Sequence, residues 1–179
     1  MSPSQLCPEI FPERPEDREQ VRRVNVEAFG QEAEADLVEH LCEGGGAALS
    51  LVALQDGQVV GHILFSPVNL EPREAPKAPL PRIAGLAPMA VLPDLQRRGI
   101  GSSLIERGLE ACREEGFDAV VVLGHPEYYP RFGFEPAARR GITSEYPVPD
   151  EVFMVLELRP GALEGWSGLV QYRPEFALV

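Results

Sequence analysis

Between Ile83 and Leu123 the chain sets out, in order, an apolar run, a glycine-bearing turn, an amphipathic stretch and a second apolar run. The first run, Ile83-Ala-Gly-Leu-Ala-Pro-Met-Ala-Val-Leu92, is uncharged and strand-like in composition. After the turn, Ile100, Leu104, Gly108, Ala111 and Cys112 recur at helical spacing, with Glu106, Arg107, Glu110 and Arg113 between them. Gly116 is placed to end that helix as its C′ residue. Asp118-Ala-Val-Val-Val-Leu123 is short and apolar, as a parallel strand buried on both faces must be. Strand, loop, helix and strand make a crossover unit, which ties both strands into one sheet.

The turn itself reads Gln96-Arg97-Arg98-Gly99-Ile100-Gly101. Glycines at a strand-to-helix junction let main-chain amides approach a ligand closely. The helix start that follows carries unpaired N–H groups and a partial positive charge, so it attracts phosphate. Arg97 and Arg98 add to that attraction, and the local chemistry points to a pyrophosphate. Two familiar phosphate motifs do not fit. No Gly-x-x-x-x-Gly-Lys-Ser/Thr string occurs. A dinucleotide fingerprint needs a small residue where Leu104 stands, and an acid at the end of the next strand, where Leu123-Gly124-His125 lies instead.

The rest of the chain surrounds this unit with further strands and helices. Glu9 to Arg14 is expected to form a first strand. Pro15-Glu-Asp-Arg opens a helix with proline and acids where a helix start favours them. A second helix is expected from about Glu32 to Cys42, closed by Gly44-Gly-Gly46. Residues 48 to 54 and 58 to 65 read as two strands around the hairpin signal Gln55-Asp-Gly57, which makes the sheet mixed. Residues 71 to 81, with four prolines, are expected to be a loop, and residues 152 to 158 a late strand. The segment 159 to 179 holds Leu163, Trp166, Tyr172 and Phe176; it is too apolar for a free tail and is expected to pack on the domain or on a partner subunit, so a homodimer is an option.

Composition narrows the function classes. The chain has 179 residues, 44% hydrophobic and 25% charged, which suits a single domain with a proper core. A net charge of −12 argues against nucleic acid as partner. No run approaches the roughly 18 apolar residues that cross a membrane, and no secretory signal is visible, so the cytoplasm is the expected compartment. Cys7, Cys42 and Cys112 have neither zinc nor disulfide spacing, and the histidines have no metal spacing, so no metal is expected. Cys112 falls on the apolar side of its helix, where packing is its expected role and a nucleophile the alternative.

Met89-Ala-Val91, then Leu-Pro-Asp-Leu and Gln96-x-x-Gly99-x-Gly101, resembles the acetyl-CoA-binding segment of the GNAT superfamily of N-acetyltransferases. That family's pattern is Gln/Arg-x-x-Gly-x-Gly/Ala after a strand ending in Val-x-Pro, and Val91 and Pro93 stand at the matching distance. A second match is Tyr128-Tyr129-Pro-Arg-Phe-Gly133-Phe134, where the family carries a tyrosine four residues before a Gly-Phe pair. The likeness spans residues 8 to 158 and is similar to small bacterial acetyltransferases. It implies an α/β fold of mixed α+β type: a mostly antiparallel central sheet with splayed parallel strands four and five, flanked by helices. Residues 1–158 would form this domain and 159–179 a C-terminal extension.

The same resemblance implies a chemistry. Main-chain atoms of Met89, Ala90 and Val91 would hold the pantetheine arm. Arg97, Arg98, Gly99, Ile100, Gly101 and Ser102 would surround the pyrophosphate of acetyl-CoA. Tyr129 would be the general acid toward the departing thiolate, with Tyr128 as second choice. Two family features are missing: strand four carries no glutamate to act as base, and Gly124-His-Pro-Glu stands where an asparagine is common. His125 and Glu127 are the candidate bases. The expected function is transfer of acetyl to a small-molecule or protein amine. A non-catalytic acyl-CoA sensor, or an acyltransferase with another donor or an oxygen nucleophile, are the alternatives. The acceptor pocket is expected from residues 25 to 45 and 139 to 150, with Ser144-Glu145-Tyr146 near it.

Overall fold

The structure, a computed structural model, describes residues 8–75 and 78–179. Cys7, the N-terminal stretch before it, and Pro76 in the proline-rich loop lie outside the described residues. The elements run β1 (Glu9–Pro12), α1 (Arg18–Phe29), α2 (Ala33–Glu43), β2 (Leu49–Gln55), β3 (Gln58–Pro72), β4 (Ile83–Val91), α3 (Ile100–Glu114), β5 (Ala119–Leu123), β6 (Glu135–Pro136), β7 (Ile142–Ser144), β8 (Phe153–Glu157) and β9 (Gly168–Gln171). The main sheet has the order β1-β2-β3-β4-β5-β8-β6, and β9 joins the far end of β3 and pairs with β7. Among the described residues only β4–β5 and β7–β9 are parallel. This is the mixed sheet with parallel fourth and fifth strands that the sequence implied.

Alternation along β3 separates two cores. Leu64 faces α1 and α2, packing with Val21, Val24, Leu37, Val38 and Leu41. Its neighbour Phe65 faces α3, packing with Leu104, Ile105, Leu109 and Cys112. Gly108 is the point of closest approach there: a Cβ would stand 2.5 Å from the Phe65 ring. Cys112 is fully buried in this core, and burial pushes its thiol up to about 12, so it packs and stays protonated. The helix ends as Gly116 predicted. Gly116 has φ +79°, its amide donates to Arg113 O and the Phe117 amide to Cys112 O, both at 3.0 Å.

Two differences from the sequence expectation shape the far side of the sheet. β3 does not stop at Phe65 but continues to Pro72, because Ser66, Val68 and Leu70 turn inward while Pro67, Asn69 and Glu71 turn out. The proline-rich loop therefore begins later than residue 71. The extension gives Asn69–Pro72 a partner in β9, so the segment after 158 adds a strand to the sheet. An ion pair of Arg159 with the buried Asp118 ties its start to β5.

Candidate active site

β4 and β5 are paired only at Ile83–Ala119, Ala84–Val120 and Gly85–Val121. Beyond Gly85 the strands separate. On its other side β4 stays bound to β3, with one bulge: Ala87 and Pro88 together face the single residue Leu64. The Leu92 amide donates to Val60 O at 3.0 Å. By strand alternation Ala90 also spends its main chain on β3, whereas Met89 and Val91 turn theirs to the side β5 has left. The Gln96 side-chain Nε2 donates to Val91 O at 3.0 Å, which anchors the following turn to the strand.

That turn has the geometry its glycines suggested. Arg97 has φ +61° and Gly99 φ +87°, both left-handed, and α3 begins at Ile100. A left-handed residue before a right-handed one makes consecutive N–H groups converge into an anion-binding hollow. The first bond of the helix runs from the Ser103 amide to Gly99 O at 3.0 Å, so the amides before it stay open to a ligand. At Gly101 a Cβ would stand 3.1 Å from the Tyr128 hydroxyl and 3.6 Å from Met89 Cε. The absence of a side chain keeps this passage clear.

The parting strands and the turn open into a cleft of about 1060 Å³. Its lining includes Met89, Val91, Arg97, Gly99, Gly101, Ser102, Tyr128 and Tyr129. Three of the residues assigned from the motif lie outside that lining. Ala90 is buried against α1 and α2, Ile100 is buried in the core at the start of α3, and Arg98 is exposed to solvent. Of the two candidate bases, His125 lines the cleft and Glu127 does not.

The two tyrosines are arranged differently. Tyr129 is 7% exposed, and its ring rests so closely on Gly124 that no Cβ would fit there. Burial, with a smaller contribution from Tyr128, pushes the Tyr129 phenol up to about 12. It therefore keeps its proton at neutral pH. Tyr128 stacks edge-on to Tyr129 at 5.2 Å and carries the Arg131 guanidinium over its face at 4.6 Å.

The opposite end of the cleft is lined by Phe29, Glu34 and Leu37 from the first two helices and by Tyr146, as the sequence placed it. Tyr172 and Phe176 also line it, which sequence reasoning did not anticipate. Nothing local marks them: they are two aromatics in an apolar segment, brought in because β9 pairs with β3. Ser144 stays behind this surface, where its hydroxyl accepts from the Tyr146 amide at 3.0 Å.

A second hollow of about 510 Å³ opens beside the end of β1, the start of β2 and α3, lined in part by Glu13 and Ser50. Ser50 there contacts both Glu13 and the fully buried His62. The directions of the bonds exclude a nucleophilic serine. Asn25 donates to Val21 O at 2.9 Å and to His62 Nδ1 at 3.1 Å, so Nε2 carries the ring proton and donates to Ser50 Oγ at 2.9 Å. Ser50 in turn donates to Glu13. Burial pushes the Glu13 carboxyl up, but the bonds from His62 and Ser50 outweigh it and hold it below its ordinary value. The network locks α1 to the sheet. Among the described residues no cluster fit for a metal occurs, and no helix is long and apolar enough to cross a membrane.

Known proteins share this arrangement. Residues 11–134 match the family model of the acetyltransferase (GNAT) family. The uncharacterized N-acetyltransferase YjhQ of Escherichia coli is 46% identical over 138 residues, covering 75% of this chain and 74% of that protein. The uncharacterized N-acetyltransferase YhbS of Escherichia coli is 39% identical over 150 residues, covering 83% and 86%. The crystal structure of YhbS in complex with CoA superposes with a TM-score of 0.89 at 37% identity over 99% of this chain and 95% of that one. A GNAT family acetyltransferase from Brucella melitensis in complex with acetyl-CoA gives 0.76 at 35% identity over 94% and 97%. A sheet that parts beside a glycine turn, matched at this similarity over most of the chain, means that the protein belongs to the acetyltransferase (GNAT) family.

Proposed function

We propose that this protein is an acetyl-CoA-dependent N-acetyltransferase that passes acetyl directly to an amine. The observation that carries the proposal is the separation of β4 from β5 after Gly85 and Val121, ending at a left-handed turn and an open helix N-terminus. The gap offers unpaired main chain to an extended amide-bearing arm, and the turn offers converging amides to a pyrophosphate. The relatives at 37% and 35% identity hold CoA and acetyl-CoA, which supports the same ligand here.

Acetyl-CoA supplies an activated thioester when bound. Met89 and Val91 would hold the arm through their main chain, and Gly99, Ile100, Gly101 and Ser102 the phosphates through their amides. Arg97 adds charge, and Arg98 contributes long-range attraction only. Ala90 and Ile100 shape the strand and the helix start from within the core. His125 takes the proton from the substrate ammonium, directly or through water. The amine nitrogen then bonds to the carbonyl carbon as the carbon–sulfur bond breaks. Tyr129, neutral because it is buried, gives its proton to the leaving sulfur; the acylated nitrogen releases its second proton to solvent, and Tyr129 regains one from solvent.

Replacing Tyr129 with Phe tests the reading. Turnover is expected to fall by about 10²-fold or more, while CoA affinity measured by calorimetry changes little. Unchanged turnover removes Tyr129 as the acid. No turnover by the unaltered protein with any amine, alongside tight CoA binding, makes it a cofactor sensor instead.

A further inference from the structure

The cleft has two ends of opposite character. Arg97 and Arg131 are its lining arginines, and both belong to the turn end. Arg97 lies in the turn itself, and Arg131 is held over the ring of Tyr128, whose hydroxyl reaches Gly101. The far end is walled by aromatic rings. Tyr146 and Tyr172 stand 5.5 Å apart between centroids, and Tyr172 and Phe176 5.1 Å. The Tyr172 ring rests over Gly85, where a Cβ would stand 3.2 Å from Cε1, so the wall starts where the strands part. Phe29, 41% exposed at the end of α1, lines the same end.

One carboxylate lines the cleft among the described residues, that of Glu34. The Gln31 side-chain amide donates to both its oxygens, at 3.1 and 3.0 Å, and holds it at the start of α2. Resting on the acetyltransferase reading above, we infer that the acceptor is a small primary amine on a flat aromatic or compact apolar body, with one positive charge and no carboxylate. Ring faces receive an apolar body and favour an adjacent ammonium. Glu34 matches one ammonium. A polyamine brings further cations that meet no second carboxylate in the lining; the Glu145 carboxylate beside the wall lies outside it and accepts from the Tyr172 amide. An amino acid brings a carboxylate to an end that holds no cation, and an unpaired charge removed from water is costly.

The test is a steady-state assay of thiol release at saturating acetyl-CoA with 2-phenylethylamine, phenylalanine and spermidine. Phenylalanine differs from 2-phenylethylamine by the carboxylate alone. The expected kcat/KM for 2-phenylethylamine exceeds both others by at least about 30-fold, the order of one mismatched charge. Glu34→Gln and, separately, Tyr146→Ala should raise KM for 2-phenylethylamine about tenfold while KM for acetyl-CoA stays put. Equal or better turnover of spermidine or phenylalanine, or an unmoved amine KM in both variants, overturns the inference. Absence of turnover with 2-phenylethylamine while calorimetry shows acetyl-CoA binding also overturns it and leaves the cofactor reading intact. Absence of acetyl-CoA binding would sink that reading first, and the inference with it.

Discussion

The cofactor contacts proposed for the turn end come from one continuous stretch, Met89 to Ser102, and use main-chain groups, with Tyr128 and Arg131 bordering it. The far end draws Phe29, Glu34, Tyr146, Tyr172 and Phe176 from separate parts of the chain and works through side chains. A main-chain site needs glycine where a side chain would block it, so its sequence is short and local. A side-chain wall needs only that distant residues meet, and many residue choices achieve that. The first kind of site can be identified from one sequence; the second follows the fold and can change between relatives while the chemistry persists.

The comparison predicts different sensitivities, beginning with the largest. Gly101→Val should weaken CoA binding at least about 100-fold, the scale of two lost hydrogen bonds to charged groups. The new side chain meets the Tyr128 hydroxyl and Met89 in the passage. Calorimetry with CoA checks this, and retained affinity would break the assignment of the turn. Gly108→Ala lies outside the cleft, on the buried face of α3, and its Cβ collides with Phe65. It should cost about 1–3 kcal/mol of stability, as overpacking does, read as a lowered midpoint in urea.

Arg97→Ala should weaken CoA only about two- to fivefold, because the side chain is exposed and an exposed pair is screened. The difference from the unaltered protein should shrink at high salt. A large, salt-independent loss would mean that side chains, not amides, hold the phosphates.

The smallest effect concerns the network beneath α1, the helix that carries Phe29. Glu13 is held below its ordinary value near 4.5, so its contribution is present above that pH and fades as pH falls through the lowered value. Glu13→Gln should therefore show a shallower loss of stability on the acid side, followed by circular dichroism from pH 6 to pH 3.

Much of this fold was legible because its strongest signals are periodic. The α3 stripe, the Gly116 terminus and the β5 run each appear in the structure where the pattern put them. The end of β3 was missed because its signal changes there from a continuous apolar run to alternation, the mark of a strand passing from two buried faces to one. Ala90 and Ile100 belong to the family motif, yet motif spacing cannot tell a side chain that lines the cleft from one that packs in the core. That depends on which way the pleat and the helix turn each side chain, and here both turn inward.

The sequence by itself determined the strand–turn–helix that invites a phosphate, because left-handed backbone and an open helix start depend on a few adjacent residues. Tertiary structure alone decided the aromatic end. Tyr172 and Phe176 reach it because β9 adds to the extension of β3, a contact between residues about 100 positions apart. Such pairings are fixed by the burial of whole faces, and no short window of sequence holds that information.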